Sequence, residues 1–183
     1  LKKYWLIIPV LFASLAFLPQ PDSYFFVPPH WPEPAYDFSK NPLTPEKIEL
    51  GRALFYDPLL SLNGQISCAS CHSQYTAFSH VDHKLSHGIF DKIGTRNAPG
   101  LFNLAWQKDF MWDGAVSHLD AQALAPMENK DEMGESIGHV VEKLNAQPYY
   151  RSAFYKAFGD SVATGTRTLR AIAQFMVTLV SAD

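Results

Sequence analysis

An all-α fold with long loops around one short Cys/His motif is predicted for this chain, and three observations predict it. Apolar residues recur at helical spacing through the C-terminal half. No stretch of useful length alternates apolar and polar residues as a half-buried strand would. The run Cys68-Ala69-Ser70-Cys71-His72 has the C-x-x-C-H spacing of c-type haem attachment. Two thiols one helical turn apart can add across the two vinyl groups of one porphyrin. The imidazole that follows then lies under the ring and can bind iron from one face. Other uses of these residues fit less well. Structural zinc usually takes four ligands, and these are the two cysteines of the whole 183-residue chain. A disulfide would leave His72 unexplained, and a thioredoxin-like redox site would want a βαβ context.

Length and composition fit one globular domain with appendages: 47% of residues are hydrophobic and 18% charged. A net charge of −3 and the lack of a basic run argue against nucleic acid as a partner. Thirteen Phe, eight Tyr and four Trp suit a wall around a flat cofactor, and suit a plain core equally well.

Residues 1–20 form the first segment. Lys2 and Lys3 precede an uncharged apolar stretch from Tyr4 to Leu18, the layout of a secretory signal peptide. The stretch is short for a membrane span, and no A-x-A cleavage pattern stands out, so an uncleaved N-terminal anchor is the alternative. Residues 21–43 are a Pro-rich arm or linker. Eight of the thirteen prolines fall between Pro19 and Pro45, interleaved with Tyr24, Phe25, Phe26 and Trp31. The aromatics favour an arm laid over the domain.

The domain proper is expected over 44–183. Thr44 can cap a helix with Pro45 at its first position and Glu46 against its dipole. Leu50 and Leu54 share a face of it, Gly51 permits close packing, and the helix should stop before Pro58. Ser61-Leu62-Asn63-Gly64 is turn chemistry leading to the haem motif. Residues 73–100 read as a long loop over the haem, with His80, His83 and His87 as candidates to face iron. Ile137, Val140, Val141 and Leu144 mark a helix ending near Asn145. Tyr150, Phe154 and Phe158 mark another, stopped by Gly159. Leu169, Ile172, Ala173, Met176 and Val180 define the longest, from about Thr166 to Leu179.

These stretches together resemble the bacterial di-haem cytochrome c peroxidases and their MauG-like relatives. The resemblance rests on Leu50-Gly51-Arg52-Ala53-Leu54-Phe55-Tyr56-Asp57-Pro58, the CASCH motif, Arg96-Asn97-Ala98-Pro99, Trp112-Asp113-Gly114, Gln122 and Glu132-Met133. It points to the family's N-terminal, cytochrome c-like domain, whose haem meets peroxide. It implies haem c on Cys68 and Cys71, with His72 as proximal iron ligand. It implies that Gln122 and Glu132 stand in the distal pocket, the glutamate moving a proton between the peroxide oxygens. Taken alone, Glu132 would read as a solvated acid in the charged run 128–132, and Trp112 as core. The resemblance makes Trp112 an electron conduit between haems and Asn97 a calcium-holding residue. His87, followed by Gly88, matches the distal histidine that caps the resting iron in some members. Where members often carry Arg after Trp-Asp-Gly, this chain has Ala115, so one polar contact near the haem edge is expected to be missing.

The implied activity is periplasmic reduction of hydrogen peroxide to water, with electrons from a small donor protein such as a cytochrome c or cupredoxin. Export by the signal segment agrees with haem attachment outside the cytoplasmic membrane. The alternatives are an electron-transfer cytochrome c, closed by a distal Met from among Met111, Met127, Met133 and Met176, and MauG-like oxidation of a protein or organic substrate. Two electrons are needed per peroxide, and the family supplies the second from another CxxCH domain. With one CxxCH in this sequence, the expectation is a fragment, or half of a pair completed by a second haem domain in cis or in trans.

Overall fold

A computed structural model describes residues 24–81 and 84–182. The signal or anchor segment and His83 lie outside the described residues. Seven α-helices are found there: α1 Pro45–Tyr56, α2 Cys68–Cys71, α3 Leu119–Gln122, α4 Leu124–Glu128, α5 Ile137–Ala146, α6 Pro148–Phe158 and α7 Gly165–Val177. Among the described residues there is no strand beyond isolated bridges such as Ser73–Ser79 and Phe110–Val116.

The fold is built on α7. Thr164 caps it, its side chain accepting from the Arg167 N–H, and its second half is buried all round from Ala171 to Val177. A helix apolar on every side must be wrapped by others. The closest partner is α1. Thr44 accepts from the Lys47 N–H at 3.3 Å, Pro45 takes the first position, and Asp57 ends the helix before Pro58. Leu50, Leu54 and Phe55 are buried in this crossing, each contributing on the order of 1.5–3 kcal/mol of apolar transfer. Gly51 lets the two backbones touch: a Cβ there would fall 1.8 Å from the Ala171 carbonyl oxygen.

Helices α5 and α6 are near their expected bounds. α5 runs one residue further, to Ala146, and α6 begins at Pro148 and ends on Gly159 in the left-handed region. Residues 101–118 carry a single 3₁₀ turn, Leu104–Trp106, so the C-terminal half is less uniformly helical than its apolar spacing suggests. Among the described residues no helix is long and apolar enough to cross a membrane.

The arm lies on the domain. Phe25 packs between Phe38 and Trp106 at 4.8 and 5.4 Å, and Trp31 meets the edge of Trp106. The Trp106 indole donates to the Pro32 carbonyl at 2.7 Å. Tyr36 Oη donates to Asp120 Oδ1 at 2.6 Å, and Gln174 Nε2 to the Asn41 carbonyl at 2.7 Å. The arm thereby ties α3 to the central α7.

Candidate haem site

The motif occupies a single helical turn that abuts α1. Ser67 and Ser70 close it in a reciprocal cap, with the Ser67 N–H donating to Ser70 Oγ at 3.0 Å. Cys68 and Cys71 are free, half-buried thiols, and burial pushes the pKa of each upward. His72 follows with its N–H bonded to the Cys68 carbonyl at 2.9 Å.

The His72 ring is fixed by the turn after it. Nδ1 lies 2.8 Å from the Phe78 carbonyl oxygen. A carbonyl can only accept, so Nδ1 carries the proton and Nε2 keeps the lone pair that a metal needs. Burial lowers the His72 pKa, against the raising effect of the Phe78 and Pro99 carbonyls, and so favours the neutral, ligating form. The Phe78 carbonyl reaches back because Ala77 and Phe78 both adopt left-handed φ, 54° each. That costs on the order of 1–2 kcal/mol per residue. Thr76 and Ser79 lock the turn by donating to each other's carbonyls at 2.6 Å, and the Phe78 ring packs on Phe55 and Phe175.

On the other side of Cys71 two loops meet. Cys71 Sγ lies 3.9 Å from the His87 carbonyl. The His87 ring pairs through Nδ1 with Asp91 Oδ1. Gly88 is pressed against residues 131–132, where a Cβ would fall 2.1 Å from the Asp131 carbonyl oxygen. The Ile89 N–H donates to the Glu132 carbonyl at 2.8 Å. Glu132 is thus half-buried beside Cys71, not fully solvated. Burial raises its pKa, opposed by the Asn129 amide at 2.8 Å on Oε1.

The remaining residues singled out above form a second group. Trp112 is 62% exposed and donates from its indole to the Asn97 carbonyl at 2.7 Å, so it is not core. Asn97 Nδ2 donates to the Lys84 carbonyl at 3.1 Å. Gln122 Nε2 points to Met111 Sδ at 3.6 Å, which places it beside the Trp112 segment and not in hydrogen-bond contact with Glu132. Arg96 binds Asp113 at 2.8 Å, supplying a guanidinium to the Trp-Asp-Gly turn in which Ala115 has none.

Two thiols on one turn, a buried imidazole oriented through Nδ1 by the Phe78 carbonyl, and a half-buried acid nearby fit a covalent porphyrin. A bare metal fits less well: among the described residues no group of three or more His, Cys, Asp or Glu could hold one. Asn97 offers one oxygen, too few by itself for calcium. Phe78 and Asn129 escaped the sequence reading, which had noted Gly88 only as the residue after His87. For Asn129 a signal existed, the Asn-x-x-Glu spacing to Glu132.

Comparison with known proteins agrees. The model of the di-haem cytochrome c peroxidase family matches residues 45–183. The methylamine utilization protein MauG of Methylorubrum extorquens is 43% identical over 150 residues, covering 78% of this chain and 40% of that protein. The cytochrome c551 peroxidase of Pseudomonas aeruginosa is 35% identical over 156 residues, covering 83% of this chain and 44% of that protein. The crystal structure of a MauG-like protein associated with microbial copper homeostasis superposes with a TM-score of 0.76 at 34% identity, over 85% of this chain and 46% of that one. The chain therefore spans less than half the length of these relatives.

Proposed function

The chain belongs to the di-haem cytochrome c peroxidase family, and on that premise we propose that it is the haem domain of a periplasmic peroxidase, reducing hydrogen peroxide to water. The observation that carries this reading is Glu132, a half-buried carboxylate beside Cys71 with a raised pKa. Haem c, when bound, would supply the redox chemistry of O–O cleavage. Cys68 and Cys71 would tether it by thioether bonds, their thiols adding across its two vinyl groups. His72 offers Nε2 to the iron and keeps its ring orientation through the Phe78 carbonyl. Glu132 takes the proton from one peroxide oxygen and returns it to the other, a role that needs hydrogen-bond reach directly or through one water. Gln122 orients peroxide by its amide, which requires exchanging Met111 for the substrate. His87 would be the residue to hold the iron from the other side at rest. Trp112, exposed, is the electron entry from a second haem domain in cis or in trans, itself fed by a small cytochrome c or cupredoxin, and Asn97 contributes one oxygen to a calcium site shared with that domain.

The test is Glu132→Gln. Haem loading should be unchanged, while peroxide turnover falls about a hundredfold or more, the range of a lost general acid–base. Unchanged turnover would return Glu132 to a surface acid.

A second reading, MauG-like oxidation of a protein or organic substrate, draws support from the 43% identity to a MauG protein. Burial narrows the electron-carrier reading to one methionine, Met111. Met127, Met133 and Met176 are 1%, 3% and 2% exposed in the core, whereas Met111 is 38% exposed. Adding peroxide while following the Soret band separates these: a Met–His spectrum indifferent to peroxide would mark a carrier.

A further inference from the structure

The turn between α4 and α5 is organised by one side chain that the proposed chemistry does not use. Asn129 Nδ2 donates to Glu132 Oε1 at 2.8 Å, and its Oδ1 accepts from the Asp131 N–H at 3.0 Å. Its carbonyl accepts from the Glu132 and Gly134 N–H groups at 3.0 and 2.9 Å. The backbone of the turn is also held independently of this side chain. Met133 N–H donates to the Pro126 carbonyl at 3.2 Å, Glu135 N–H to the Met127 carbonyl at 2.8 Å, and Ile89 N–H to the Glu132 carbonyl at 2.8 Å. Glu135, 3% exposed, anchors the far end by accepting from Lys143 Nζ at 2.8 Å and pairing with His139 Nδ1 at 3.0 Å.

The backbone is therefore fixed several times over, while the Glu132 carboxylate has the Asn129 amide. A glutamate without such a partner spreads over several staggered rotamers, and proton transfer needs the carboxylate within hydrogen-bond reach of its target. We propose that Asn129 is a positioning residue for Glu132: its amide holds Oε1 so that Oε2 is the atom presented to the proton of the bound ligand. This rests on the acid–base reading of Glu132 above.

The experiment is a double-mutant cycle on the haem-loaded protein. Asn129→Ala removes both side-chain bonds, and Asn129→Asp keeps the acceptor for the Asp131 N–H but removes the donor. Each is made with Glu132 intact and together with Glu132→Gln. Two rates are read: the peroxide-driven Soret change, and the association of cyanide with ferric haem. Cyanide enters as hydrogen cyanide and must lose its proton to a base, without redox turnover. With Glu132 present, both Asn129 variants should slow both rates about tenfold, the effect of a displaced but intact catalytic group. In the Glu132→Gln background they should change neither rate further, and haem content should stay constant.

Equal slowing in both backgrounds would make Asn129 a structural residue and overturn the proposal. So would full rates in the Asn129 variants when Glu132→Gln alone is slow. If Glu132→Gln is itself at full rate, the acid–base reading fails and this inference falls with it. Should Asn129→Ala not load haem, Asn129→Asp decides.

Discussion

Replacing Gly51 by Ala sets two physical effects against each other, and the structure says which wins. Gly51 sits inside α1, where alanine is the better helix former by about 1 kcal/mol. The same methyl would lie 1.8 Å from the Ala171 carbonyl oxygen, 2.6 Å from its carbon and 3.0 Å from Phe175 Cβ. An ordinary contact is near 3.4 Å, so α1 and α7 must part locally by about 1.6 Å. The obstacle is helical backbone and cannot rotate away. Overpacking typically costs about 1–3 kcal/mol, and a backbone obstacle belongs at the upper end. Subtracting the propensity gain leaves about 2 kcal/mol of net destabilisation. For a chain of this size that lowers Tm by about 4–8 °C. Gly138→Ala is the control, because Gly138 is an exposed α5 residue with nothing within 4 Å of the added methyl. It should raise stability by about 0.5–1 kcal/mol. Thermal unfolding of the haem-loaded protein by circular dichroism reads both. A Tm that is unchanged or higher in Gly51→Ala would refute the reasoning, since propensity alone would then be acting.

Three further outcomes are expected. The double variant Cys68→Ala, Cys71→Ala should lose covalent haem, checked by whether haem stays with the polypeptide after denaturation and acid–organic extraction. Tyr150→Phe removes the phenol that donates to Asp57 Oδ2 at 2.5 Å; it should lower stability to urea by about 1.5–3 kcal/mol, as for a hydrogen bond to a charged group. Glu135→Gln should flatten the acid limb of stability. Burial alone would raise the Glu135 pKa, but the bonds from Lys143 and His139 outweigh it and hold it below the ordinary glutamate range. A folded pKa below the unfolded one means the contribution is present above the unfolded value and lost as pH falls through the folded one. Urea titrations between about pH 6 and pH 3 should therefore show a smaller loss in the variant than in the unmodified chain; equal losses would count against the pair.

Local rules in the sequence determined the helices and marked the candidate haem site. Thr44-Pro45-Glu46, Gly159 and the apolar spacing of 137–144 and 169–176 act over one or two turns, so α1, α5, α6 and α7 were readable without neighbours. Cys68, Cys71 and His72 stood out as a candidate haem site because thioether attachment would demand their spacing within five residues. Even Gly51 signalled close packing, although not what it would pack against. Tertiary structure alone decided the rest. The Phe78 carbonyl reaches His72 only through two consecutive left-handed residues, Ala77 and Phe78, which no propensity favours. Trp112 is exposed because its turn is held at the surface by Asn97 and by the Arg96–Asp113 pair, whereas a tryptophan in isolation reads as core. Glu132, one acid in a charged run, differs from its neighbours because the chain at Gly88 and Ile89, more than forty residues earlier, closes over its backbone. Burial and pKa are properties of what packs around a residue. A carboxylate becomes a candidate proton carrier only when distant segments exclude enough water around it.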